Sequence, residues 1–178
     1  MTIHDELICE LIKKREFEKP AGEIIRIVGN ANIKYSLEEL FSHSNTLVQS
    51  IAPDIVVEDL SSKELKIDNR RIAVEMETDL DWDFGHSLRQ VKNYRSSKLF
   101  KDVVVIIPKE YERFTPYYKN EGFKVWLWDA TRRWKCNLCE TEFDDRRSIR
   151  ILPKCGQKKC TSRDLKLIGL KDASFTEA

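Results

Sequence analysis

Two short runs rich in β-branched residues constrain the fold most, because each has the pattern of a strand and each carries acidic side chains. The runs are Pro53 to Val57 and Ile72 to Thr78, and both have the length and apolar content of strands. Side chains alternate between the two faces of a strand. Glu75 and Glu77 are therefore predicted to point to one face, and Met76 to the other.

Asp54 lies at the start of the first run, which predicts three carboxylates close together with Glu75 and Glu77. Like charges a few ångströms apart repel one another unless a cation lies between them. Mg²⁺ prefers hard oxygen ligands and keeps several waters that a phosphate can displace. The spacing alone leaves a second interpretation open, in which the three acids line a solvated face of the sheet.

A helix is predicted to follow these strands, from about Gly85 to Ser97. Leu88, Val91 and Tyr94 recur at helical spacing and should pack on the sheet. Gln90 lies beside this apolar stripe, and its amide can both donate and accept a hydrogen bond. Two interpretations of Gln90 are open: it orients a water or a phosphate, or it is an exposed helix residue without a functional role.

The chain order is Asp54, about twenty residues, Glu75-x-Glu77, and then Gln90 on a helix. This order resembles the PD-(D/E)xK nuclease superfamily. The resemblance implies an α/β fold for residues 1–130, with a restriction-endonuclease-like mixed sheet flanked by helices. It also implies that Asp54 and Glu75 hold a catalytic Mg²⁺ or Mn²⁺ and that Gln90 reaches the same site.

Glu77 is a departure from the family pattern, which usually has Lys at this position. The resemblance therefore leaves the general base open, and Glu77 either accepts a proton from water or shares a second ion. Many family members place an acid of the first helix near the metal, which makes Glu6 a further candidate, with a solvated helix face as the alternative. The implied activity is metal-dependent hydrolysis of phosphodiester bonds, with DNA as the expected substrate. The alternative is a non-catalytic nucleic-acid-binding protein with a degenerate nuclease fold.

The remaining pattern completes an α/β arrangement. Further helices are predicted at Thr2 to Lys19, Ser36 to Phe41 and Glu110 to Asn120, and further strands at Glu23 to Val28, Asp102 to Pro108 and Phe123 to Trp128. The continuous apolar run within Asp102 to Pro108 is typical of a strand buried on both faces. From this strand the chain passes through the predicted helix into the strand at Phe123 to Trp128. This order predicts that the two strands pair in parallel, with a right-handed crossover.

Four cysteines define a different kind of site near the end of the chain. They are paired as Cys136-x2-Cys139 and Cys155-x4-Cys160. Soft thiolates at this spacing suit a tetrahedral structural Zn²⁺, and residues 131–178 resemble a zinc-ribbon module with a tail. Two disulfides or iron–sulfur ligation are the alternatives. Cys9 lies outside this pattern and is expected to be a buried thiol.

The charge of the chain is distributed unevenly. Its net charge is only +1, but Thr131 to Asp172 contains twelve Lys or Arg against six Asp or Glu. A basic segment beside an acidic, metal-binding core suits a phosphodiester substrate, so nucleic acid is the expected partner. Nucleases that cut both strands often pair, so a homodimer is one option. The chain has no apolar run of membrane-spanning length and no signal-peptide pattern, which predicts a soluble cytoplasmic protein.

Overall fold

The computed structural model describes residues 3, 4, 7, 16–18, 24–27, 53–59, 71–147 and 152–178, and in this part of the chain eight strands form one mixed sheet. The strands are β1 (Glu16–Glu18), β2 (Ile24–Ile27), β3 (Ile55–Asp59), β4 (Arg71–Met76), β5 (Asp102–Pro108), β6 (Lys124–Cys136), β7 (Glu142–Asp145) and β8 (Leu165–Glu177). The helices are α1 (Phe84–Ser96), a 3-10 helix (Lys109–Phe114) and α2 (Thr115–Asn120). The described helices include none with both the length and the apolar character that a membrane span needs.

The sheet combines an antiparallel half with a parallel centre. Strands β1 to β4 follow one another in antiparallel pairs. Helix α1 then carries the chain to β5, which pairs parallel with β4, and the next two helices carry it to β6, which pairs parallel with β5. The predicted parallel pairing is confirmed, and β5 has the predicted bounds. The overall class is mixed α/β.

Alternation along the strands divides the core into two clusters, one on each face of the sheet. The helix-side cluster lies under α1 and α2 and includes Ala73, Val91, Tyr94, Val105 and Tyr118. The opposite cluster includes Leu7, Val74, Met76, Ile106 and Trp126. Neighbouring residues of β4 and β5 enter different clusters, so both strands are buried on both faces. This burial explains why the central strands consist almost wholly of apolar residues.

The predicted helix at Thr2 to Lys19 is wrong at its carboxyl end. Ile3, His4 and Leu7 are helical, as expected, but Glu16–Glu18 is strand β1 and does not continue a helix to Lys19. Residues 16–18 pair with β2, and this pairing determines their conformation in place of the local helical pattern. Four predictions lie outside the described residues: Glu6, Cys9, the helix at Ser36 to Phe41 and the ends of the Glu23 to Val28 strand.

Strand β6 extends the sheet from the core to the first cysteine. It pairs with β5 through Trp128, with β7 from Arg132 onward, and with β8 from Trp126 to Cys136. It therefore runs without interruption across residue 130, where the boundary between two domains was predicted. The cysteine segment shares its long strands with the core sheet, and the division into two domains stays a prediction. The sequence patterns did not predict β8, which occupies what was expected to be a tail.

Replacing Val105 by Ala tests this account of the core. Val105 is fully buried in the helix-side cluster, and the lost methyl groups should lower the free energy of unfolding by roughly 2 kcal/mol. Urea unfolding followed by tryptophan fluorescence measures the change. Asn93→Ala, at an exposed position of α1, is the control and should change the unfolding free energy by less than about 0.5 kcal/mol. Equal effects of the two substitutions would contradict the assigned core.

Candidate functional site

The structure brings Asp54, Glu75 and Glu77 to the same region of the helix-side face. Asp54 immediately precedes β3, Glu75 lies in β4, and Glu77 directly follows β4. The register pairs Ile55 with Val74, so Asp54 and Glu75 come next to each other where these antiparallel strands meet. Met76 enters the opposite cluster, as the alternation predicted.

Glu75 is held by two side chains of α1. The Gln90 amide Nε2 donates to Glu75 Oε1 at 2.6 Å, and the Tyr94 hydroxyl donates to Glu75 Oε2 at 3.0 Å. Gln90 Nε2 also lies 2.7 Å from the Tyr94 hydroxyl. Positions four apart on a helix lie one above the other, so the two side chains form a closed triangle with the carboxylate. Gln90 thus contacts the acidic site, while Tyr94 was expected only to pack on the sheet.

Asp54 is fixed by the backbone of β4 and by a residue from the start of the chain. Its Oδ2 accepts a hydrogen bond from the Met76 N–H at 2.8 Å and lies 3.1 Å from His4 Nε2. Sequence reasoning missed His4, since no spacing rule relates a histidine to an aspartate 50 positions later. Only the tertiary fold brings the imidazole to this carboxylate.

Glu77 lies at the edge of the site and is less buried than the other two acids. The Ser87 hydroxyl hydrogen-bonds to its carboxylate, and Ser87 Oγ lies 2.6 Å from the hydroxyl of Tyr118 on α2. The backbone holds Glu77 from both sides, because its N–H donates to Ile106 O and its carbonyl accepts from the Trp128 indole. The position of Glu77 is therefore set by the two neighbouring strands.

Burial and mutual repulsion dominate the electrostatics of the three acids. Asp54 and Glu75 are only 8% and 6% exposed. Burial, followed by the charges of Asp54 and Glu77, raises the pKa of Glu75 well above its usual range. Burial also raises the pKa of Glu77, while the Ser87 hydroxyl opposes this shift. Among the residues that the structure describes, no Lys or Arg forms an ion pair with any of the three.

The ligand types of this site suit a divalent cation, but the present positions of the carboxylates do not yet enclose one. Carboxylate oxygens are the ligands that Mg²⁺ and Mn²⁺ prefer, and a cation would relieve the repulsion that raises the pKa of Glu75. The oxygens of Asp54 and Glu75 already accept hydrogen bonds, and within the described segments the three acids do not form a group as tight as the four cysteines. Holding one cation would therefore require these carboxylates to exchange hydrogen bonds and move closer together.

Other polar residues near the site have partners elsewhere. Asp81 pairs with Arg113, and Asp79 accepts from the Tyr111 hydroxyl, so both are tied to the 3-10 helix. Asp83 occupies the N-cap position of α1, but its side chain makes no capping hydrogen bond. Lys92 pairs with Glu121 at 2.7 Å. The Lys92 ammonium is therefore directed to the end of α2, away from the three acids.

The four cysteines form the second candidate site, and their geometry fits a metal ion. The sulfur atoms all lie within 4.8 Å of one another, with Cys136 to Cys160 at 3.8 Å and Cys139 to Cys155 at 3.4 Å. Sulfurs around a tetrahedral Zn²⁺ lie about 3.8 Å apart when each Zn–S bond is about 2.3 Å. All four thiols are free of disulfides. The group could hold a metal such as zinc, and four sulfurs would leave no open position for a substrate.

Hydrogen bonds around the first cysteine pair favour thiolates, whereas the pKa values of Cys155 and Cys160 are raised. The N–H of Cys139 and then that of Leu138 lower the pKa of Cys136. The side chain and then the backbone of Thr141 lower the pKa of Cys139 to about 6. In the second pair, a Cβ on Gly156 would lie 3.0 Å from the Phe143 side chain. A larger residue at this position would therefore require Phe143 to shift by a few tenths of an ångström.

Comparison with known proteins adds no assignment. No family model matches the chain, and searches of curated proteins and of solved structures give no match. The functional proposal therefore rests on the acidic site and the cysteine site themselves.

The cysteine site predicts one zinc ion per chain by elemental analysis of the purified protein. Cys139→Ser should lower the zinc content and the melting temperature, because a structural metal contributes its binding free energy to folding. Cys9→Ser removes a thiol outside the pattern and should leave the zinc content unchanged. A zinc-free wild-type protein with the same melting temperature would contradict the assignment.

The acidic site predicts a particular dependence of stability on pH in buffer without divalent ions. The pKa of Glu75 is higher in the folded protein than its usual value of 4.5, so the folded state binds this proton more tightly than the unfolded chain. Stability should fall as pH rises above about 4.5 and through the folded-state pKa. Glu75→Gln should reduce this loss and raise the unfolding free energy at pH 7.

Mg²⁺ provides the complementary test in the same unfolding assay. It should stabilise the wild type, because an ion that binds only the folded state raises the free energy of unfolding, and it should stabilise Glu75→Gln much less. Glu121→Gln removes an exposed carboxylate and serves as the control. Equal stabilisation of all three proteins by Mg²⁺ would show that the ion does not bind at the acidic site.

Proposed function

We propose that this protein is a metal-dependent nuclease that hydrolyses phosphodiester bonds, with DNA as the expected substrate. The observation that supports this proposal best is the adjacency of buried Asp54 and Glu75, with Gln90 hydrogen-bonded to Glu75. Burying two carboxylates side by side is unfavourable without a compensating charge. Such an arrangement is more common in functional sites than in structural cores.

Each residue of the acidic site has a distinct role in this proposal. Asp54 and Glu75 would hold Mg²⁺ or Mn²⁺, which supplies Lewis-acid polarisation of the phosphate and an acidified water when bound. Gln90 and Tyr94 orient the Glu75 carboxylate, and His4 orients that of Asp54. Glu77, at the more open edge, either accepts a proton from the attacking water or shares a second ion.

The order of structural elements supports the finer assignment of the fold. Antiparallel strands β2, β3 and β4 are followed by α1 and then by β5 parallel to β4. We propose that this is a restriction-endonuclease-like core, with the acids at the junction of β3 and β4. The cysteine segment would be a zinc ribbon built on the extensions of β6 and β8.

A non-catalytic nucleic-acid-binding protein is the second candidate. Two observations favour it: Glu77 replaces the lysine of the family pattern, and the oxygens of Asp54 and Glu75 already accept hydrogen bonds. The basic residues around the cysteines would then carry the function. This candidate differs from the first in predicting salt-sensitive binding without metal-dependent cleavage.

Cleavage assays with single-stranded, duplex and branched DNA, with and without Mg²⁺ or Mn²⁺, separate the two candidates. Asp54→Asn should reduce cleavage to the background of a protein-free control, because the amide keeps the shape of the carboxylate but removes its charge. Glu121→Gln, which also neutralises one acid, should cleave at the wild-type rate. Undiminished cleavage by Asp54→Asn, or cleavage that does not need a divalent ion, would refute the assigned site.

A further inference from the structure

A notch interrupts one side of β6, between the end of β5 and the end of β7. Strand β8 pairs with β6 from Trp126 to Cys136, so it occupies one side of that strand. Strands β5 and β7 must both lie on the other side. Pairing with β5 ends at Trp128, and pairing with β7 begins at Arg132. Residues 129–131 have no strand partner on that side among the described residues, which opens a gap of about 10 Å at roughly 3.3 Å per residue.

The notch lies at the same edge of the sheet as the acidic site. Glu77 follows the carboxyl end of β4, Pro108 ends β5, and Trp128 is paired with Pro108. The Trp128 indole donates to the Glu77 carbonyl at 3.1 Å and also lines the notch. Two strand spacings separate β4 from β6, so the two features are about 10 Å apart. In α/β sheets, ligands commonly bind outside the carboxyl ends of parallel strands.

The notch forms a pocket of about 350 Å³, which is lined by both basic and acidic side chains. Lys109, Arg146 and Arg147 supply positive charge, with Lys109 on the core side and both arginines following β7. Glu110, Glu112 and Asp129 supply hydrogen-bond acceptors. Its volume falls in the range of small-ligand sites, roughly 300–1,000 Å³.

The arginine side of the pocket is held in place by buried contacts. Arg132 is 2% exposed and pairs with Asp145 at 2.9 Å, while Arg147 Nε pairs with the other oxygen of Asp145 at 2.7 Å. Arg146 hydrogen-bonds to the Thr131 hydroxyl. These contacts hold the two outer guanidinium groups at the pocket before any ligand binds, which reduces the entropy lost on binding.

We propose that this pocket binds one nucleotide of the substrate strand, next to the phosphodiester that is cleaved at the acidic site. Lys109 and Arg146 contact its phosphate, and the carboxylates of Glu110, Glu112 and Asp129 accept hydrogen bonds from the sugar or the base edge. A simple anion would not use these acceptors, whereas a nucleotide carries both a negative phosphate and hydrogen-bond donors. This inference rests on the proposed nuclease function.

The proposal also gives the cysteine site a role in binding. Strand β6 continues eight residues beyond Trp128 to Cys136, so the segment that carries the arginines projects past the sheet edge. A metal ion bound by the cysteines would hold β6, β7 and β8 together at the far end of this projection. The phosphate contacts would then depend on zinc, although zinc lies far from the pocket.

The test measures binding of fluorescein-labelled oligothymidine to the full, zinc-loaded chain by fluorescence anisotropy, without Mg²⁺ or Mn²⁺ and over a range of salt concentrations. The double substitution Lys109→Gln and Arg146→Gln should weaken binding about tenfold, equivalent to 1.4 kcal/mol. Because both residues contact the same phosphate, it should also lower the salt-dependence slope by about 0.7, the value for one phosphate on a single strand. Both residues are exposed, and an unchanged melting temperature verifies folding.

The double substitution Lys98→Gln and Lys101→Gln is the matched control, because it also removes two positive charges, and both residues are exposed between α1 and β5 at the opposite edge of the sheet. It should bind as the wild type does. If the pocket variant and the control variant weaken binding equally, or if the pocket variant binds as the wild type does, the pocket assignment alone is overturned. Pocket-dependent binding without metal-dependent cleavage supports the pocket and refutes the catalytic proposal. Absence of any binding overturns the pocket assignment, while the cleavage assays decide the catalytic proposal independently.

Discussion

Repulsion between buried carboxylates is the constraint on which the acidic site depends. Asp54 and Glu75 are withdrawn from water on adjacent strands, and Glu77 adds a third charge at their edge. Hydrogen bonds from Gln90, Tyr94 and a backbone N–H compensate part of this cost. A core without function would gain stability from apolar residues at these positions. The surrounding donors instead hold the carboxylates of Asp54 and Glu75 in fixed positions on adjacent strands.

Strand β6 connects this acidic site to the cysteine site. Its first half is buried in the core beside β5, and its second half carries Cys136 at its end. Because β8 follows β6 along almost its whole length, movement of the cysteine segment relative to the core would require breaking a long ladder. The cysteine segment and the strands beside the acidic site therefore share one continuous ladder.

The features that could be predicted from the sequence are those with strong local signals. The apolar run of β5, the helical stripe of α1 and the paired cysteines all have such signals, and alternation placed Glu75 and Met76 on different faces. The contact of His4 with Asp54 depends on the tertiary fold. Strand β8 is half-exposed and rich in polar residues, so only its pairing with β6 makes it a strand. The change in composition near residue 131 predicted a separate module, which stays a prediction, and the continuity of β6 through this position had no local signal.

The most direct test of the central claim is the location of Mn²⁺ in crystals of the zinc-loaded protein soaked in Mn²⁺, read from anomalous scattering. The account predicts a manganese peak within bonding distance of carboxylate oxygens of both Asp54 and Glu75. A zinc peak among the four cysteines would serve as an internal reference in the same data. A well-defined zinc peak together with no manganese between Asp54 and Glu75 would contradict the account.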